Sequence, residues 1–220
     1  MNPSIRQSAR AIGSAVFALA VVTAGAAAQS PAHTHIGHAA DAFRGTPDGV
    51  GLLPAAVAEA EIAHQHATLA GRDPSSLEGM QRHMGHVIHA LDASRVESGP
   101  GLGYGVIPAS ERAAQHTELA AASEGASDAV KTHAVHVATA ARSAASHAER
   151  AIEIAESIQG AETADDAAEM LAELTMLTDA ILNGTDADGN GRIGWQEGEG
   201  GLAQATMHMG LIKQAEGLGN

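Results

Sequence analysis

A chain of 220 residues with two phenylalanines, one tyrosine and one tryptophan has to build its interior from aliphatic side chains. Alanine, leucine, valine, isoleucine and methionine suit helices packed close together, whereas half-buried strands draw on β-branched and aromatic residues. The apolar spacing points the same way. Leu77, Met80, Met84, Val87, Ile88 and Leu91 recur at intervals of three and four, as do Met170, Leu171, Leu174, Leu177 and Ile181. Between them runs a longer stripe of small residues from Val130 through Val137, Ala141, Ala144 and Ala148 to Ala155, suited to close helix contact.

The sequence therefore predicts an all-α fold, a small-residue-rich bundle of four to six helices. Helices are expected from Ala55 to Ala70, from an Asp73 or Ser75 cap to Leu91, and from Ser110 to Ala122. A long one runs from a Ser127 cap to Gly160, another from a Thr163 cap to Asn183, and a last one from Leu202 to Ala215. The Gly-rich stretch from Ser98 to Gly105 has no Lys-Ser or Lys-Thr after it and reads as a flexible connector.

The start of the chain reads as an export signal. Arg6 and Arg10 precede an apolar run from Ala11 to Ala28 that ends in Ala26-Ala27-Ala28, the small-residue pattern a signal peptidase accepts. Cleavage before Gln29 implies a periplasmic or secreted protein with no membrane attachment afterwards, more acidic still than its formal charge of −14. That charge makes nucleic acid an unsuitable partner. The chain has no cysteine, which excludes thiolate ligands, disulfides and c-type haem attachment. The expected organisation is a signal peptide at 1–28, a His-rich irregular lead-in at 29–54, a His-rich helical bundle at 55–160 and a helix-loop-helix unit at 161–220.

Within that last unit stands the string Asp186-Ala-Asp188-Gly-Asn190-Gly191-Arg192-Ile193-Gly194-Trp195-Gln196-Glu197. Alternate oxygen-bearing side chains over a short turn can surround one hard cation of calcium's size, which takes six to eight oxygens. The string resembles the loop of the EF-hand family. The resemblance implies Ca2+ held by Asp186, Asp188 and Asn190, by the backbone carbonyl of Arg192 and by a bidentate Glu197, with Gly191 making the sharp turn and Ile193 as a buried anchor. The loop departs from the family in being single, in the Asn183-Gly184-Thr185 gap before it, and in Gly198, Gly200 and Gly201 after it. A structural clasp fits these departures better than a groove-opening switch.

All thirteen histidines follow the signal. His83/His86 and His133/His136 are spaced i, i+3, so each pair can offer two imidazoles on one helix face to Cu, Zn or Ni, and facing pairs would complete four ligands. Surface positions are expected for His86 and His89. Met80, Met84, Met207 and Met209 would add soft donors if they reached the same place, although the methionines of the predicted second helix fall on a core stripe. No zinc-protease string, nucleophile elbow, P-loop or dinucleotide fingerprint occurs, and no enzyme activity is expected. Two functions remain: an exported calcium-binding protein whose single loop acts as a clasp, and a periplasmic His/Met-rich protein that binds or stores a transition metal.

Overall fold

A computed structural model describes residues 30–219, so the expected export segment lies outside the described residues. Seven α-helices follow one another: α1 (Pro31–Ala40), α2 (Leu52–Ala70), α3 (Leu77–Leu91), α4 (Val106–Ala122), α5 (Asp128–Gln159), α6 (Ala164–Asn183) and α7 (Leu202–Glu216). Among the described residues there is no strand beyond one isolated bridge between Ala42 and Val50.

Local chemistry sets the helix starts. The hydroxyls of Ser76, Ser127 and Thr163 accept the backbone N–H groups of Gly79, Val130 and Asp166, each satisfying a donor that a helix N-terminus leaves free. At α7 the cap is a glycine, and the Gln204 side chain takes the Gly201 N–H instead. Asp165 and Asp166 in the first turn of α6 lie favourably at its positive end.

The 32 residues of α5, about 48 Å of helix at 1.5 Å per residue, form the central column against which α3, α4, α6 and α7 lie. Its alanines at 138, 140, 141, 144, 145, 148, 151 and 155 are all buried, and side chains of that size let helices approach on several sides. The bulk of the core comes from Leu52, Leu53, Met80, Met84, Leu91, Ile152, Ile158, Leu174, Ile181, Leu202 and Ile212. Met80 and Met84 are thus packing residues, whereas Met207 is 55% exposed.

The described residues hold one helix more than the upper end of the expected four to six, and two segments differ from the sequence reading. Residues 29–54 are not an irregular lead-in throughout: Pro31 occupies the first turn of α1, and the Ser30 hydroxyl accepts the His33 N–H. Ile36 and Ala39 then bury one side of that helix, Gly37 is accommodated within it, and the stretch dense in Gly and Pro begins only at Gly45. The connector before α4 is also anchored. Glu59, fully buried on α2, accepts the N–H groups of Tyr104 and Gly105 at 2.8 and 3.0 Å. His89 is buried rather than on the surface, its Nδ1 3.1 Å from the Pro100 carbonyl oxygen, because this connector folds over it.

Candidate metal centres

Nine of the thirteen histidines gather into three groups of three. His35 and His38 on α1 meet His116 of α4; His83 and His86 on α3 meet His66 of α2; His133 and His136 on α5 meet His208 of α7. Each group has one plan. Two histidines spaced i, i+3 stand on one helix, which brings their rings to the same face, and a neighbouring helix supplies the third. Within each group one ring nitrogen per residue lies within 4.8 Å of the others.

The closest approaches are between Nδ1 atoms: 2.9 Å for His35 and His116, 2.9 Å for His66 and His83, 3.2 Å for His66 and His86, and 3.1 Å for His133 and His208. Two nitrogens each about 2.05 Å from a tetrahedral zinc lie about 3.3 Å apart, so these rings need spread only by a few tenths of an ångström to share an ion. The remaining Nδ1 atoms of His38 and His136 are buried without a hydrogen-bond partner among the described residues. A buried polar nitrogen of that kind is costly unless something fills the space it faces.

Six of the nine imidazoles are also biased towards the neutral form. Burial first, and then the neighbouring His86 and His83, push His66 down to about 4. Burial likewise lowers His35, His83, His116, His136 and His208, with a second histidine of the same group adding to the effect each time. Neutral imidazole is the form that ligates a metal, so protons compete weakly at neutral pH. These groups can hold a transition metal.

The two pairs expected from the sequence are therefore both sites of convergence, but they do not complete one another. His83/His86 and His133/His136 belong to different groups, each closed by a single histidine from a partner helix. The four remaining histidines have other surroundings. His33 meets Glu216 at 2.8 Å, His64 meets the Thr178 hydroxyl at 3.1 Å, His89 faces Pro100, and His147 is half-buried beside Gly198.

The acidic loop follows α6. Its two exposed aspartates organise the turn: Asp186 accepts the N–H groups of Asn190 and Gly191, and Asp188 accepts those of the Asn190 backbone and side chain. Gly191 has φ +80°, the left-handed conformation expected of it. The Asn190 amide oxygen accepts the Arg192 N–H at 2.9 Å. The third carboxylate that joins Asp186 and Asp188 is Glu199, and Glu197 stands outside the group. The chain turns at Gly198 instead of continuing as a helix, so Glu197 is carried to a polar cleft with Arg142, Ser143 and His147. The same turn brings Glu199 back under the loop, where its carbonyl accepts the Thr185 N–H at 2.8 Å. Ile193 is 42% exposed rather than buried, since no second loop lies against this one among the described residues.

No protein-family model, curated protein or solved structure matches the chain, so its function is read from its own residues.

Proposed function

We propose that the protein is an exported carrier or store for a borderline transition-metal ion, zinc, copper or nickel, taken up at three separate three-histidine centres. The observation that carries this reading is the threefold recurrence of one arrangement, an i, i+3 histidine pair closed by a histidine from a neighbouring helix. Neutral nitrogen ligands suit Zn2+, Cu2+ and Ni2+, and three protein ligands leave a coordination position open for exchange. Export rests on the signal-like run from Arg6 to Ala28 and is tested by N-terminal sequencing of the protein recovered from culture.

The test is stoichiometry. Tag-free protein dialysed against Zn2+, Cu2+ or Ni2+ should retain three ions per chain in native mass spectrometry, and His66→Gln, His116→Gln and His208→Gln should each remove one. Retention of no ion, or a stoichiometry indifferent to all three substitutions, would sink the proposal.

A second, compatible reading is supported by the acidic loop: Ca2+ binding there would clasp α6 to α7. The convergence of Asp186, Asp188 and the buried Glu199 favours it.

A further inference from the structure

Trp195, the chain's one tryptophan, belongs to the acidic loop yet lies against a histidine centre. Its ring stacks on that of His136 with centroids 4.0 Å apart and planes 21° from parallel. Two further contacts press the segment after the tryptophan onto the same face of α5. The Gly198 N–H donates to the Ser143 hydroxyl at 2.9 Å, and Gly200 comes so near the helix that a Cβ there would lie 2.8 Å from the Cβ of Ala140. His136, Ala140 and Ser143 follow one another at helical spacing. The loop is thus the outer wall of the His133–His136–His208 centre.

The same loop carries charge. Carboxylate oxygens of Asp186, Asp188 and Glu199 lie within 4.8 Å of one another. Glu199 is only 5% exposed; its Oε2 accepts the Gly194 N–H at 3.0 Å, and its Oε1 is buried without a partner among the described residues. Gly194 is Trp195's neighbour, so the buried carboxylate holds the backbone that positions the indole. Three convergent carboxylates repel one another, and the unpartnered oxygen of a buried one calls for a cation. An all-oxygen set of this kind suits a hard divalent ion such as Ca2+.

We propose that Glu199, not Glu197, closes a hard-cation site with Asp186 and Asp188, and that filling it strengthens transition-metal binding at His133, His136 and His208 by fixing Trp195 against His136. The second half rests on the reading of that centre as a metal site. The physical link is order. A cation removes the repulsion that loosens the loop, the indole then holds the His136 ring in its ligating orientation, and the second ion has less disorder to overcome. By reciprocity the transition metal strengthens cation binding by the same factor. The other two centres do not touch Trp195, so the effect is confined to this one.

The experiment uses the full chain with His66→Gln and His116→Gln, which leaves the α5–α7 centre as the remaining one. Calcium binding is measured by equilibrium dialysis, and zinc affinity by competition with a chromophoric chelator in calcium-free and calcium-saturated buffer. Calcium should raise zinc affinity roughly tenfold, within the usual range of coupling between sites. Glu199→Gln should lose both calcium binding and the coupling, Glu197→Gln should keep both, and Trp195→Leu should keep calcium binding while losing the coupling. Asp188→Asn, an exposed position, should reproduce the calcium loss without disturbing the buried segment. Loss of calcium binding in Glu197→Gln with retention in Glu199→Gln overturns the ligand assignment, and absence of calcium binding in the parent overturns the cation site itself. Equal zinc affinity in the two buffers overturns the coupling. Failure of zinc to bind at all refutes the three-centre function and with it the coupling, while calcium dialysis of the same variants still decides the role of Glu199.

Discussion

Zinc should raise the melting temperature of the protein in three separable increments. A ligand that binds the folded chain but not the unfolded one stabilises by RT ln(1 + [L]/Kd), about 2.7 kcal/mol at a hundredfold excess over Kd. For a chain of this size each kcal/mol is worth about 2–4 °C, so one centre contributes roughly 5–11 °C and three contribute roughly 16–32 °C. The increments should not be equal, because an unfolded chain retains some affinity where the ligands are near in sequence. His66 and His83 are 17 residues apart, whereas His35 and His116 are separated by 81 and His133 and His208 by 75. Closing a loop of the longer kind costs the unfolded chain roughly 1.4 kcal/mol more than closing the shorter one, a little over two doublings of length. His116→Gln and His208→Gln should therefore each remove a larger part of the zinc-induced shift than His66→Gln. His66 and His116 are half-buried and His208 is buried, and glutamine nearly matches their volume, so the metal-free melting temperatures should stay close to the parent's. Calorimetric scans of the parent and the three variants, with and without zinc, give the comparison. A shift that any one substitution abolishes entirely would mean a single shared centre, and a shift that survives the triple substitution would place the zinc elsewhere.

Metal-free protein should lose stability as the pH falls through the range from about 6.5 to about 4. His66 has its pKa lowered to about 4 in the folded chain, so between these values the unfolded chain binds more protons and stability rises with pH. Chemical denaturation at pH 7, 5.5 and 4.5 should show this slope, and zinc should steepen it because protons displace the ion; a flat profile would count against neutral, desolvated imidazoles. Glu59→Ala should cost about 2–5 kcal/mol in urea unfolding, because two backbone N–H groups, those of Tyr104 and Gly105, lose their acceptor at a fully buried position. A loss below 1 kcal/mol would show that water or a shifted loop replaces the carboxylate.

The fold was largely legible because a core without aromatics leaves a strong helical period, and the caps Ser127 and Thr163 mark their helices without help from tertiary structure. The i, i+3 histidine pairs on α3 and α5 were legible for the same reason. Their third members were not, although one signal was present: His83 and His86 follow His66 at the spacing with which His133 and His136 follow His116. Even that regularity does not give the partners. His66 turns to the pair of its own hairpin, while His116 turns to α1 and leaves His133/His136 to α7. The first pair, His35/His38, was less legible because its helix is short and is followed closely by a stretch dense in Gly and Pro from Gly45, although Ser30-Pro31 marks its start. Glu199 was missed because the twelve-residue pattern assumes a helix after its last position, and here Gly198, Gly200 and Gly201 turn the chain instead.

The chemistry of the three centres also argues for exchange over permanent retention. Every candidate ligand is an imidazole nitrogen, which carries no charge when it ligates, so a bound divalent ion would keep its full charge at the site, with no thiolate or carboxylate of the group to offset it. Compensation comes from a distance, through a chain whose formal charge is −14, and such long-range attraction is weakened by salt far more than a direct ligand bond would be. The expected result is affinity that falls with ionic strength at all three centres, together with rapid turnover through the open coordination position. Those properties would suit the proposed role of collecting an ion and handing it on. The α5–α7 centre is the exception in kind, since its wall is itself acidic, and a second cation bound there would raise the local charge directly. If electrostatic repulsion between the two ions outweighed the ordering of Trp195, calcium would weaken zinc binding there; the sign of the calcium effect thus decides between ordering and repulsion.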